Sequence, residues 1–320
     1  MNLLEECSGA KKIGISGHIR PDGDCVASTM ALFQFLNRAM VDASVEVLLE
    51  KPSEVFMNVS GVSKIISEEI ETKIYDVFFV LDSVSDRIGL AKKHFDHAKK
   101  TINVDHHISN YGSADVNFLN PHASSTSEMI YELILIADPE KKYMDEELAK
   151  TLYIGIIHDT GVLQYSNTSP RTLCIAADLI SYGFDFSEII DKTFYEKTYI
   201  QNQIMGRAIL ESVRFMDGKC VVSMVDSKMM EFYGATSKDF EGIVNQLRII
   251  KGVECAIFMY ETGSMEYKVS MRSMGKVNVS AVATYFGGGG HVRAAGCNMS
   301  GTYHDVINNL SSQIERQLKK

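Results

Sequence analysis

The chain alternates short, almost wholly apolar runs with stretches whose apolar residues recur at helical spacing. Lys12 to His18, Ser44 to Leu49, Tyr75 to Ser83 and Thr101 to His107 read as strands, and Asp115 to Leu119 as a further short one. The run at 77–81 is continuously apolar, as expected of a strand covered on both faces. Cys25 to Met40, Met129 to Ala137, Glu146 to His158 and Pro170 to Ile180 read as helices, with Pro170 suited to a first helical position. Strand and helix alternate to about residue 185. This pattern predicts an α/β domain over 1–185 with a mostly parallel sheet flanked by helices. Phe186 to Val213 reads as a largely helical connector. A smaller mixed α/β domain is expected over 214–320. Its strands are Cys220 to Val225, Val253 to Tyr260 and Glu266 to Arg272, and its helices Asp239 to Leu247, Val279 to Phe286 and Tyr303 to Leu318.

Composition narrows the class. Hydrophobic residues make up 45% of the chain and charged residues 23%, enough for a sizeable core in a soluble globular protein. The sequence shows neither an apolar run long enough to span a bilayer nor a signal peptide, so a cytoplasmic protein without membrane contact is expected. The six cysteines are scattered without a CxxC pair, which points to free thiols. A net charge of -9 argues against binding along a long nucleic acid, which needs a basic surface for counterion release. A nucleotide substrate would have to be short and held locally.

The polar residues at the strand ends change the picture further. His18, Asp22 and Asp24 lie between a strand end and a helix start, in a loop marked by Pro21 and Gly23. Such a loop can curl three side chains round one centre; a plain turn with Asp24 capping the helix would account for one acid but not for His18 and Asp22 as well. Asp82 ends the third apolar run as a ligand or an N-cap. Asp105-His106-His107 ends the fourth, and Asp159 ends a helix beside a glycine turn. Carboxylates and imidazoles without a thiolate suit Mn2+ or Mg2+ better than structural zinc. Four converging acids would repel one another strongly unless bound cations lay between them. Two cations about 3.5–4 Å apart would supply a hydroxide nucleophile and a clamp for displacement at phosphorus.

His18-x-x-x-Asp22-x-Asp24, Asp82, Asp105-His106-His107 and Asp159 resemble the four motifs of the DHH phosphoesterase superfamily. Gly287 to Gly296, preceded by Met271-Arg272-Ser273, resembles the DHHA1 domain. The two-domain length is similar to that of the small bifunctional oligoribonuclease/pAp-phosphatases. The resemblance implies a catalytic domain followed by a substrate-binding domain. One Mn2+ would be held by His18, Asp22 and Asp82, and a second by Asp24, Asp82, His106 and Asp159, with Mg2+ or Co2+ as alternatives. His107 would face the substrate phosphate and Asp105 would orient a histidine. Arg272, Ser273, Gly288, Gly289, Gly290 and His291 would hold a terminal phosphate, with the glycine backbone forming an anion nest.

The expected activity is metal-hydroxide attack on phosphorus in short oligonucleotides or in 3′-phosphoadenosine 5′-phosphate (pAp). Alternatives are a cyclic-di-AMP or pApA phosphodiesterase, an inorganic pyrophosphatase or polyphosphatase, and a non-catalytic nucleotide sensor. Assembly as a homodimer is compatible with this reading. His158 departs from the motif pattern and is given no role. Arg171 is weighed as a phosphate contact against an ordinary surface charge, and His94, His97, His122 and His304 read as surface residues.

Overall fold

Five parallel strands form the scaffold of the N-terminal half in the computed structural model, which describes residues 1–319. In chain order the elements are α1 (Leu3–Glu6), β1 (Lys12–Ser16), α2 (Gly23–Ala39), β2 (Ser44–Val47), β3 (Val77–Leu81), α3 (Lys92–Asp96), β4 (Thr101–Asp105) and β5 (Val116–Leu119). The helices α4 (Thr126–Ala137), α5 (Glu146–Asp159), α6 (Pro170–Ile180) and α7 (Phe186–Ile190) follow. The strand order is β2-β1-β3-β4-β5. All residues of β3 and β4 are buried; β3 is accordingly an unbroken apolar run, while β4 alternates the apolar Ile102 and Val104 with the polar Thr101, Asn103 and Asp105. The register pairs Ser16 with Val80 and Leu81 with Val104. The carboxyl ends of β1, β3 and β4 are therefore level, and the residues just beyond them emerge along one edge, where open α/β sheets bind ligands.

The helices close tightly over this sheet. A Cβ on Gly155 of α5 would collide with Ser127 of α4 and come within 2.9 Å of Ala27 of α2. The glycine lets three helices meet where α4 begins. The first unit extends over Met1–Glu196, and a second starts at Lys197.

The second unit contains α8 (Tyr199–Leu210), β6 (Val213–Phe215), β7 (Cys220–Val225), α9 (Ser227–Tyr233), α10 (Ile243–Arg248), β8 (Cys255–Gly263), β9 (Glu266–Ser273), α11 (Val279–Tyr285), β10 (Gly289–His291), β11 (Ala294–Ser300) and α12 (Tyr303–Leu318). Its sheet runs β10-β11-β9-β8-β7-β6, parallel between β7 and β8 and antiparallel elsewhere. Alternate strand residues serve two cores. Val222, Ile257 and Met271 face Val282 and Leu310 on one side, while Val221, Ala256 and Phe258 face Ile204 and Leu247 on the other.

The α/β class holds in both units, and the first sheet is wholly parallel. Several expected boundaries move for local reasons. The third strand stops at Leu81 because Asp82 adopts φ +56° and turns the chain out of the sheet. The helix expected from Met129 begins at Thr126, because Ser125 accepts the Glu128 amide hydrogen as N-cap. The expected helical stretch 186–213 is interrupted. A π-turn at Asp191–Tyr195 follows α7, and α8 starts afresh with Thr198 and Gln201 in a reciprocal capping box. Within the glycine run, Gly289 and Gly290 belong to the edge strand β10.

Candidate metal centre

Asp22 is the N-cap of α2: its Oδ1 accepts the amide hydrogens of Asp24 and Cys25, both at 3.1 Å. Its other oxygen remains free to face His18 Nε2 at 3.6 Å. Asp24 does not cap its own helix. Buried in the first turn of α2, it accepts the amide hydrogens of Thr126 and Ser127 at 2.7 and 2.9 Å, and so caps the start of α4 instead. Asp82 is likewise no N-cap. Its buried carboxylate accepts the Thr126 hydroxyl hydrogen at 3.0 Å and lies 3.5 Å from His18 Nε2, 3.7 Å from His106 Nε2 and 3.5 Å from His107 Nδ1. Asp159, at the end of α5, places its carboxylate 3.3 Å from His106 Nε2.

The histidine surroundings sort their nitrogens. His18 Nδ1 stands 2.9 Å from the Ile19 carbonyl and His106 Nδ1 3.3 Å from the Ala123 carbonyl. A carbonyl accepts only, so each Nδ1 carries a hydrogen, and Nε2, which faces the carboxylates, is the nitrogen that remains for a metal. His107 is different. Its Nδ1 is 2.7 Å from Asp105 Oδ1, and its side chain is 41% exposed. Asp105 is itself fixed: Oδ1 also accepts the His107 amide hydrogen, and Oδ2 accepts from Asn110 Nδ2 at 2.6 Å. Asn110 donates in turn to Asn103, whose amide holds the Val80 and Ser83 carbonyls.

The electrostatics fit a cation. Burial, and then the charges of Asp82 and Asp159, raise the Asp24 carboxyl well above the usual carboxylate range. Burial first, with Asp82 and Asp22 adding to it, pushes Asp159 up to about 6. The carboxylate partners act oppositely on the rings. Burial disfavours a charged His18, but Asp22 and Asp82 outweigh it and raise its pKa. The Asp105 bond raises His107 to about 9 against burial. A divalent cation stabilises the charged form of such crowded acids. Donor atoms within 4.8 Å of one another come from Asp24, His106 and Asp159 in one group, Asp82, His106 and His107 in a second, and His18, Cys25 and Asp82 in a third. Asp82 is shared by two of these groups. These residues fit a metal centre of mixed oxygen and nitrogen donors.

Residues 12–156 match the DHH family, N-terminal domain, and residues 217–320 match the DHHA1 domain. The chain belongs to the DHH–DHHA1 family. This DHH protein is 29% identical over 327 aligned positions to the bifunctional oligoribonuclease and PAP phosphatase NrnA of Thermus thermophilus, covering 99% of this chain and 95% of that protein. It is 25% identical to the enzyme of the same name from Bacillus subtilis, over 93% of this chain and 92% of that one. An exopolyphosphatase-related protein from Bacteroides fragilis superposes with a TM-score of 0.88 at 25% identity, covering 99% of this chain and 96% of that one.

Arg272 and Ser273 lie at the end of β9 in the second unit. Ser273 is buried, and its hydroxyl accepts the Gly275 amide hydrogen at 3.0 Å. Gly289 and Gly290 pair with Gly296 and Ala295 of β11, and Gly290, at φ +141°, approaches the Ala294 carbonyl too closely for any side chain. His291 and Arg272 both pair with Ala294, one from each side. Directly opposed residues share a sheet face, so the two stand on one face with only a methyl group between them. Arg171 is exposed and donates to Glu132 at 2.9 Å.

His94, expected at the surface, is fully buried, because its Nδ1 accepts the Lys73 amide hydrogen and its ring packs edge-on against Tyr75. His158 is packed between Phe56 and Phe194, and its ring lies directly on Gly23, between Asp22 and Asp24. Burial holds its pKa down at about 4.

Sequence reasoning missed four contributors: Cys25, Thr126, Asn103 and Asn110. A polar Asn103 between the buried Ile102 and Val104 was the available signal for the third. Nothing local to Thr126 announces its contacts to Asp24 and Asp82.

Proposed function

We propose that this DHH–DHHA1 protein is a Mn2+-dependent phosphoesterase that hydrolyses very short oligonucleotides and pAp. The carrying observation is the position of Asp82, whose one carboxylate faces His18 on one side and His106 on the other. His18, Asp22 and Asp82 would hold one cation, and Asp24, Asp82, His106 and Asp159 a second. When bound, such cations supply Lewis acidity at a phosphoryl oxygen and lower the pKa of water.

The remaining work belongs to the chain. Asp105 fixes the His107 ring through Nδ1 and keeps it charged near neutral pH, so that Nε2–H could donate to a phosphate oxygen or give its proton to a departing alkoxide. Asp24 locks the start of α2 to the start of α4, so two ligand-bearing elements hold their geometry before substrate arrives. In the second unit, Arg272 and His291 offer two cationic or hydrogen-bonding groups on one face for a terminal phosphate, with Ser273 and the Gly288 to Gly290 backbone beside them. The curated relatives named as oligoribonuclease and PAP phosphatase support this substrate class, as does a net charge of -9, which disfavours a long polyanion. Among the described residues no helix is long and apolar enough to cross a membrane.

The test is turnover of pAp, a 5′-phosphorylated dinucleotide, cyclic di-AMP and pyrophosphate, each with and without Mn2+. Metal-dependent hydrolysis of the first two supports the proposal. Hydrolysis of cyclic di-AMP or pyrophosphate alone would move the substrate assignment, and nucleotide binding without hydrolysis would make the protein a sensor.

A further inference from the structure

Cys25 follows Asp24 in the first turn of α2 and is fully buried. One side of it packs in the apolar core of the first unit. The other side is polar: its Sγ, a ring nitrogen of His18 and a carboxylate oxygen of Asp82 lie within 4.8 Å of one another. Sγ is also 3.9 Å from the His18 carbonyl. The neighbouring backbone makes room for the sulfur. A Cβ at Gly17 would collide with Cys25 Sγ and stand 3.2 Å from the Leu81 carbonyl, so any larger residue there would expel the thiol from between the ends of β1 and β3. Cys220, Cys255 and Cys297, by contrast, belong to the apolar core of the second unit.

We propose that Cys25 is a sulfur donor to the cation held by His18, Asp22 and Asp82. This donor biases that half of the centre toward thiophilic divalent cations such as Co2+, Zn2+ and Cd2+ over Mg2+. The inference rests on the reading of the site as a metal-dependent hydrolase. Thiolate, imidazole and carboxylate together form a softer donor set than oxygen alone, and soft ligands select softer metals. On ligation the thiol proton passes to solvent and the sulfur bonds as thiolate. The opposing account is that Cys25 is a small apolar filler.

Anaerobic titration of the metal-free full-length protein with Co2+ decides between them. A near-ultraviolet thiolate-to-cobalt charge-transfer band is expected in the wild type. It should persist in Cys174→Ser, which removes the exposed cysteine, and vanish in Cys25→Ser, while the visible d–d bands of bound Co2+ remain. In Cys25→Ser the preference for Cd2+ over Mg2+ should fall by about tenfold or more, on the scale of losing one group from a metal site. Bands of bound Co2+ without charge transfer in the wild type, or a charge-transfer band that survives Cys25→Ser, would overturn the proposal. Should Cys25→Ser fail to fold, the 113Cd chemical shift of the wild-type complex reports sulfur ligation directly. Hydrolysis of pAp without any sulfur signature would refute the thiolate ligand alone. Absence of Co2+ binding would refute both it and the metal-centre reading.

Discussion

Asp24 and Thr126 are joined across 102 positions of sequence by a 2.7 Å bond from the Thr126 amide to the Asp24 carboxylate. The same threonine donates its hydroxyl hydrogen to Asp82. One residue at the start of α4 thus orients two acids that arrive from different elements. Thr126→Val retains the amide and removes the hydroxyl. The expected result is a loss of about 1 kcal/mol in stability, the scale of a single hydrogen bond, and metal affinity weaker by about 10- to 100-fold. Thermal unfolding of the metal-free protein and calorimetric titration with Mn2+ check the two parts separately.

Asp82→Ala removes the carboxylate that faces three imidazoles. Turnover is expected to fall by more than about 100-fold, beyond the usual effect of losing an outer partner. Mn2+ stoichiometry measured by equilibrium dialysis should fall with it. Unchanged stoichiometry together with lost turnover would remove Asp82 from the ligand set.

The pair of His107 and Asp105 gives a pH signature. Asp105 raises His107 to about 9, so the folded ring binds its proton more tightly than the unfolded chain does. The stabilisation is fully present below the ordinary histidine value of about 6.5 and is lost as pH rises through about 9. In the metal-free protein, NMR titration of the His107 ring should show a midpoint near 9. Asp105→Asn should bring it down toward 6.5 and remove that part of the pH dependence of stability.

Gly23 and His158 test the support beneath the ligand loop. Gly23→Ala drives a methyl group into the His158 ring. Overpacking of this kind costs about 1–3 kcal/mol. His158→Ala should recover part of the loss, giving a non-additive double-mutant cycle in urea denaturation. Strict additivity would mean that the two residues do not press on one another.

Gly155→Ala offers a contrast, because it crowds Ser127 and Ala27 within the helical layer. A comparable loss of about 1–3 kcal/mol is expected. Because Ser127 donates its amide to Asp24, Mn2+ affinity should weaken along with stability. A lower melting temperature with unaltered Mn2+ affinity would show that α4 tolerates displacement without moving Asp24.

Much of the fold was legible because burial on both faces leaves a direct trace in sequence. The run that became β3 is wholly apolar because it is buried on both faces, and Ile102 and Val104 carry the same trace in β4. The strand-end acids and histidines were legible for a related reason: a charged residue that terminates such a run needs a purpose at the sheet edge. The structure brings His18, Asp22, Asp24, Asp82, His106 and Asp159 together. Other features carried no local trace. Cys25 reads as one more small buried residue, and only the closeness of Gly17 and His18 in space reveals its polar side. His94 looks like a surface histidine until Lys73 supplies a distant amide hydrogen. The strands β10 and β11 lack β-branched residues and begin in glycine and alanine, so their pairing is set by close backbone approach rather than by side-chain pattern.

The central position of Asp82 has a thermodynamic consequence for the two-cation proposal. Two cations that both drew on Asp82 would not fill their places independently. Each would restrict the orientation of Asp82 for the other, and by linkage each would change the affinity of the other by the same factor. Loading should therefore be cooperative, or anticooperative where ion–ion repulsion exceeds that gain. A weak chelator that withdraws one ion would then alter the hold on its neighbour, so inactivation would follow a coupled two-ion curve instead of two separate dissociations.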